Sequence, residues 1–157
     1  MARVVVVDYM TCCNEQECQR KREKWFHLQS QFSPKGQKEL EDFRLNMANG
    51  THKILFDKHF YKRSLERSIS EAAFKEVFDC GWVIERNKNS KGISLVLLGY
   101  VGKQYRPLHI VMDRINENVW VAVTAYDPQT HVWKWNDRFD ERVCFCNPED
   151  REGVQLL

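Results

Sequence analysis

The sequence lacks the long apolar segments that anchor a protein in a membrane. None of its apolar runs approaches the roughly 20 residues that a membrane-spanning helix needs. At the amino terminus only Arg3 precedes a run of four valines, after which the sequence turns polar. Since a secretory signal peptide needs an apolar region of about 7–15 residues, export is not expected. We therefore predict a cytoplasmic protein.

The motifs of several enzyme classes are missing too. There is no glycine-rich phosphate-binding loop, no Gly-x-Ser-x-Gly nucleophile motif and no His-Glu-x-x-His metal motif. The carboxylates are not clustered in the way that a divalent-metal nuclease requires. These absences argue against the enzyme classes that the motifs define, and neither a metal nor an organic cofactor is predicted.

The cysteines do not form a familiar framework. There are six of them: Cys12, Cys13, Cys18, Cys80, Cys144 and Cys146. Disulfides are not expected in a cytosolic protein. The cysteines near the two ends would supply four thiolates to a zinc ion if the termini met, but they lack the two-to-four-residue gaps of usual zinc motifs. Buried or free thiols are the preferred interpretation, because cysteine packs as a small hydrophobic residue.

What is present is typical of one soluble domain. A chain of 157 residues is long enough for one hydrophobic core and too short for two ordinary domains. The net charge is +2, but residues 51–114 carry 12 Lys/Arg against 7 Asp/Glu, and residues 129–157 carry 4 against 6. A basic middle followed by an acidic end favours a site for a polyanion, with ordinary surface variation as the alternative.

Four strand-length runs between Gly81 and Pro128 organise the chain. They read WVIERN, ISLVLLGYVG, YRPLHIVMDRI and VWVAVTAYDP, with turn-forming sequence between them. Runs rich in aliphatic and aromatic residues, separated by Asn, Ser, Lys and Gly, are typical of an antiparallel meander. The short polar connection over residues 115–118 predicts a hairpin between the third and fourth runs.

Pairing across this hairpin predicts which side chains meet. On the fourth run, alternation places Trp120, Ala122, Thr124 and Tyr126 on one side of the sheet. The same pairing brings His109 of the third run close to Thr124 and Tyr126.

Helices are predicted before the sheet. A short strand over Arg3–Tyr9 precedes a helix over residues 14–31. Ser33 and Pro34 then predict the start of a second helix over residues 35–47, because serine is a good N-cap and proline suits the first helical position. Together these segments predict an N-terminal strand and a helical hairpin.

Two more short helices are predicted between residues 57 and 80. Asp57 is the expected N-cap of the first helix, and Ser70 begins the second. In the first helix His59, Arg63 and Arg67 recur at every fourth position, which places them along one helical face.

The predicted fold class is α+β, with short helices packed on one face of a four- to five-stranded antiparallel sheet. The chain divides into an N-terminal extension over residues 1–50, an α+β domain over 51–146 and a flexible tail over 147–157. A last apolar run over residues 142–145 predicts an edge strand.

Seven polar side chains are predicted to lie within reach of one surface. They are His59, Arg63, Arg67, Arg106, His109, Thr124 and Tyr126. This set suits RNA cleavage without a metal, because an imidazole can take a proton from the 2′-hydroxyl or give one to the 5′-oxygen at neutral pH. Arginines can hold the phosphate and stabilise its growing charge. The alternatives are a buried core histidine at position 109 and arginines that pair locally with carboxylates.

The order of these motifs resembles a prokaryotic family of unknown function. The stretches that carry the resemblance are HFYKRSLERSIS, DCGWVIE, YRPLHIVMD and VAVTAYDP. Members of the family read roughly H-x3-R-x2-(E)-R-x-I-S, G-x-I, R-x-L-H-V-V and I-T-V-Y-x-P. The resemblance covers about residues 53–135. The family is grouped with the barnase–EndoU–colicin–RelE (BECR-fold) class of small toxin-like ribonucleases.

The resemblance implies RNA cleavage, with an antitoxin or immunity protein as a partner. Its catalytic positions are His59, His109, Arg63, Arg67, Thr124 and Tyr126, and its phosphate-binding positions are Arg63, Arg67 and Arg106. We therefore predict a toxin-type, metal-independent endoribonuclease. The alternative is a non-catalytic module that binds nucleic acid or protein on the same fold, as an inhibitor or regulator.

Overall fold

A computed structural model describes residues 12, 14–90 and 92–146 of the chain. These residues form two compact units, one over 29–128 and one made of the residues up to 28 together with those from 129 onward. The predicted strand Arg3–Tyr9 and the predicted tail over 147–157 lie outside the described residues. None of the described helices is long and apolar enough to cross a membrane.

The described elements form an α+β fold. The helices are α1 (Glu15–Ala48), α2 (Phe60–Glu66), α3 (Glu71–Cys80) and the 3-10 helix η1 (Pro128–Lys134). The strands are β1 (Lys53–Phe56), β2 (Trp82–Asn89), β3 (Gly92–Val101), β4 (Arg106–Asn116) and β5 (Val119–Tyr126).

The predicted meander is confirmed, but the sheet is mixed rather than purely antiparallel. The strand order is β1-β5-β4-β3-β2, and β2 to β5 pair antiparallel in sequence. β1 lies parallel to β5, from Lys53 opposite Val119 to Phe56 opposite Ala122. The sequence did not predict β1, because four residues are too few to show a strand period and their partner lies far along the chain.

The predicted helical hairpin is wrong. α1 runs unbroken from Glu15 to Ala48 and contains Pro34. A proline inside a helix removes one backbone hydrogen bond and costs about 3 kcal/mol. Beyond the proline, Leu40 and Phe43 are both buried in the hydrophobic core. The burial of these two side chains offsets the free-energy cost of the proline, so the helix continues past Pro34.

Side chains of α1 bind the backbone of β2, which is an edge strand of the sheet. The side-chain oxygens of Gln29 and Gln37 accept hydrogen bonds from the N–H groups of Arg86 and Val83, each at 2.8 Å. The Arg86 guanidinium also pairs with Glu39 at 2.7 Å. Because an edge strand otherwise exposes unpaired amides, these contacts protect it from pairing with another chain.

One hydrophobic cluster joins the helices to the sheet. Its members are Leu40, Phe43, Phe60, Ile69, Phe74, Val77, Val83, Ile93, Leu95, Leu97, Val101, Leu108, Ile110, Met112, Trp120, Ala122 and Ala125. Register places Leu97 opposite Ile110, and Ile110 opposite Ala125, on a single face. We refer to this face, which packs against α1, α2 and α3, as the helix-covered face.

The other unit combines the part of α1 up to residue 28 with the residues from 129 onward, which include most of η1. In it, Trp135 and Arg142 form an isolated antiparallel bridge. The predicted edge strand over residues 142–145 is wrong, since only Arg142 forms a β-bridge with another segment and residues 143–145 continue in irregular backbone.

Candidate functional site

α2 carries three of the predicted site residues on one short segment. The helix has seven residues, with His59 at its N-cap position, Arg63 inside it and Arg67 at its C-cap position. All three side chains are exposed. Asp57 is not the N-cap that the sequence predicts; instead its Oδ1 accepts a hydrogen bond from the His59 N–H at 3.0 Å. The predicted cap of α3 is confirmed, because the Ser70 hydroxyl accepts a hydrogen bond from the Ala73 N–H.

Arg67 binds β5 beyond the end of β1. β1 ends at Phe56, opposite Ala122, so among the described strands none lies beside the later residues of β5 on that side. There, the Arg67 Nη1 donates to the Ala125 carbonyl at 2.7 Å and to the Thr124 hydroxyl at 3.1 Å. The guanidinium thus satisfies an acceptor that a strand partner would otherwise satisfy.

Arg106 uses all three guanidinium nitrogens on protein oxygens. Its Nε donates to the Asp127 carboxylate at 2.9 Å, while Nη1 donates to the Ser68 carbonyl at 2.7 Å and Nη2 to the Arg67 carbonyl at 3.0 Å. Ser68 has a φ of 57°, in the left-handed region that non-glycine residues rarely adopt. Arg106 therefore fixes the turn after α2 onto the end of the sheet.

His109 is fully buried, with an exposure of 0%. It lies opposite Tyr126 in the β4–β5 ladder, and its Nδ1 is 3.2 Å from the Tyr126 hydroxyl. The two rings contact edge to face, with centroids 5.2 Å apart. Because its neighbours Leu108 and Ile110 belong to the core cluster, His109 lies on the opposite face of the sheet.

A bulge on β5 determines which of its side chains lie on the same face of the sheet as His109. The register of β5 against β4 shifts at Val123. Before the bulge, Trp120 and Ala122 belong to the core cluster on the helix-covered face. After it, Thr124 and Tyr126 lie on the opposite face with His109. The prediction that Trp120, Ala122, Thr124 and Tyr126 share one side is therefore wrong. The predicted proximity of Tyr126 to His109 is confirmed.

Five predicted residues thus gather at one end of the sheet, and we call this group the sheet-end network. It contains Arg67, Arg106, His109, Thr124 and Tyr126. Two further members, Asp127 and Ser68, were not predicted from the sequence. The sequence signal for Asp127 was its place in the Asp-Pro pair that ends β5. Within residues 14–90 and 92–146, no side-chain hydrogen bond joins His59 or Arg63 to this network.

The remaining basic residues of this segment form an exposed surface, which we call the α2 basic face. It consists of Lys58, His59, Lys62 and Arg63, all exposed. In the described part of the chain, no salt bridge reaches Lys58, Lys62 or Arg63. Tyr61 stands beside them with 47% of its surface exposed.

An apolar cavity of about 690 Å³ lies among α1, β1 and α3. Its walls include Met47, Phe56 and Phe78. Three of the charged residues in its wall are engaged within the protein: Arg44 donates to backbone carbonyls, and Lys75 pairs with its helix neighbour Asp79. The cavity therefore offers mainly hydrophobic surface, with the Glu71 carboxylate also in its wall.

Among the described residues, one group has the composition and spacing to hold a metal ion. Cys12, Cys18, Cys144 and Cys146 of the other unit have sulfur atoms that all lie within 4.8 Å of one another. The sequence named all four but could not show that they meet. Cys13 lies outside the described residues, and Cys80, which is exposed, is not a member of the group.

Comparison with known proteins identifies one family match. Residues 56–127 match the model of a family described as a domain of unknown function (DUF4258). This range lies within the 53–135 span of the resemblance drawn from the motifs, and it contains every predicted site residue. Neither the curated proteins nor the solved structures contain a significant match to the chain.

Proposed function

We propose that the domain over residues 56–127 binds RNA through the α2 basic face. The observation that carries this proposal is the contrast in how basic side chains are used. Arg67 and Arg106 donate to protein oxygens, whereas Lys58, Lys62 and Arg63 are exposed and have no salt bridge within the described residues. Cations without a protein partner are available to a polyanion.

The chemistry of this surface suits a phosphate backbone. Lysine and arginine neutralise phosphates and release counterions, which drives binding that weakens as salt rises. Tyr61, 47% exposed beside these cations, offers a ring on which an unpaired base can stack. The resemblance to toxin-like ribonucleases supports RNA over other polyanions.

Fluorescence anisotropy with a labelled single-stranded RNA tests the proposal directly. We expect Lys62→Ala/Arg63→Ala to weaken binding by about 10-fold and to reduce the slope of log K against log salt by about 1.4, since each lost phosphate contact removes roughly 0.7. The control, Lys38→Ala/Lys103→Ala, removes the same charge from two other exposed lysines. Equal loss in both double variants, or no binding by the wild type, would contradict the proposal.

We propose RNA cleavage as a second function, because His59 and Arg63 are both exposed and lie one helical turn apart on α2, where an imidazole and a guanidinium can act on the same phosphodiester. In this scheme His59 takes the proton from the 2′-hydroxyl and Arg63 holds the phosphate. The 2′-oxygen attacks phosphorus and the 5′-oxygen leaves with a proton from solvent, which yields a 2′,3′-cyclic phosphate and a 5′-hydroxyl. His109 is fully buried, so its role would be positional rather than direct.

Incubation of end-labelled RNA with the protein in EDTA tests this second function. We expect cleavage that persists in EDTA, yields cyclic-phosphate ends and falls at least about 100-fold in His59→Ala. His27→Ala is the matched control, because His27 is also exposed on a helix. Absence of cleavage in EDTA would exclude the metal-independent reaction and leave the binding proposal to its own test.

A further inference from the structure

Four cysteines from opposite ends of the chain meet in one unit. The sulfur of Cys12 lies 3.8 Å from that of Cys146, and the sulfur of Cys18 lies 3.8 Å from Cys144 and 3.6 Å from Cys146. Cys18 and Cys144 are buried, and the other two are partly buried. In sequence Cys18 and Cys144 are 126 positions apart.

These distances match the geometry of a single tetrahedral ion. A Zn–S bond is about 2.3 Å, so the sulfurs of a tetrahedral site lie roughly 3.8 Å apart. A disulfide needs its sulfurs at about 2.0 Å, much closer than any of these pairs. An iron–sulfur cluster places several atoms between its ligands, which would hold the thiolates further apart than one ion does.

Backbone N–H groups point at two of the sulfurs. The Phe145 N–H lies 3.2 Å from the Cys18 sulfur, and the Asn14 N–H lies 3.4 Å from the Cys12 sulfur. Such donors stabilise negative charge on sulfur and orient the ligand, as outer-shell contacts of metal sites do. A thiolate accepts such hydrogen bonds more strongly than a neutral thiol, whose sulfur is only a weak acceptor.

We infer that Cys12, Cys18, Cys144 and Cys146 bind one zinc ion. All four positions of the tetrahedron are filled by protein, so the site is closed and structural rather than catalytic. It would tie the segment before α1 and the first turn of α1 to the segment after η1. This inference does not depend on RNA binding or cleavage.

The alternative is a cluster of protonated thiols. Burial raises the pKa of the Cys12 and Cys144 thiols when no metal is present. A zinc ion reverses that preference, because a coordinated thiol loses its proton. The two alternatives therefore differ in metal content, which can be measured directly.

The first test uses the wild-type full chain, purified under reducing conditions without an immobilised-metal column. We expect elemental analysis to find about one zinc per chain. After chelation, Co²⁺ titration should produce thiolate-to-cobalt charge-transfer bands and tetrahedral visible bands, which added Zn²⁺ abolishes. Zinc-free protein that gives only the spectrum of hydrated cobalt would overturn the inference, as would stoichiometric iron or two disulfides.

The second test compares two cysteine variants. Cys146→Ser alters a partly buried member of the cluster, and Cys80→Ser alters an exposed cysteine outside it. We expect Cys146→Ser to lose the cobalt charge-transfer bands and to lower Tm by roughly 5–10 °C, while Cys80→Ser keeps both. Loss of the cobalt spectrum in both variants would contradict the assignment, and the metal content of the wild type does not depend on how either variant folds.

Discussion

The α2 basic face and the sheet-end network use the same kinds of side chain in opposite ways. Arg63 and Arg67 are one helical turn apart and both exposed, yet Arg63 has no salt bridge among the described residues while Arg67 donates to Thr124 and Ala125. Arg106 donates hydrogen bonds to the Asp127 carboxylate and to two backbone carbonyls. The difference teaches that two arginines of one motif can have different environments: one donates to backbone and side-chain oxygens of the protein, and the other stays exposed.

The largest expected effect is the loss of Arg106. Arg106→Ala would leave two carbonyls without their donor and the Asp127 carboxylate, which is only 12% exposed, without its cation. We expect the free energy of unfolding to fall by about 2–3 kcal/mol, measured by urea denaturation.

Arg63→Ala is the matched control for this comparison. It removes the same charge from the α2 basic face and should change stability by less than about 0.5 kcal/mol. An Arg106→Ala variant as stable as Arg63→Ala would mean that the sheet-end network does not hold the turn after α2.

A smaller effect is expected from Tyr126→Phe. This change removes the hydroxyl beside His109 Nδ1 and keeps the ring contact. We expect a loss of about 1 kcal/mol in unfolding free energy and no change in RNA affinity, measured by urea denaturation and anisotropy. Tyr105→Phe, at a tyrosine that is 73% exposed, is the control. Unchanged stability with reduced RNA cleavage would instead give this pair a direct part in chemistry.

The smallest expected effect is an increase in stability, from the substitution Ser68→Gly. Ser68 has a φ of 57°, and glycine adopts this conformation without the Cβ strain. Because the network uses the Ser68 carbonyl, Ser68→Gly should keep the Arg106 contact and raise stability by up to about 0.5 kcal/mol. Ser68→Ala keeps the strained Cβ and should be less stable than Ser68→Gly in the same denaturation assay. The reverse order would show that the serine side chain itself supports the turn.

Strands β2 to β5 could be predicted because the sequence patterns that define them lie within each strand and the turns beside it. Alternating runs separated by turn residues define β2 to β5, and Ser70 marks the start of α3 through a nearby backbone donor. β1 could not be predicted, because its direction depends on pairing with a strand that comes much later. The predicted helix start at Pro34 was wrong, because burial of Leu40 and Phe43 outweighs the local tendency of proline to interrupt a helix.

The candidate site was harder to predict for a similar reason. The sequence named Arg67, Arg106 and His109, but their roles depend on carbonyls and a ring that only the tertiary structure brings near. Linear spacing also hid the cysteine group, since zinc-ligand patterns are judged on neighbouring residues. Here the closest sulfurs belong to opposite ends of the chain.

The most direct measurement compares Arg63→Ala with Arg67→Ala for both RNA affinity and stability. We expect Arg63→Ala to bind RNA about 5-fold more weakly with stability within about 0.5 kcal/mol of the wild type. Arg67→Ala should lose about 2 kcal/mol of unfolding free energy while the folded protein binds RNA within about twofold of the wild type. The reverse result, with Arg67→Ala stable but deficient in binding and Arg63→Ala unaffected, would contradict the division between structural and ligand-binding arginines.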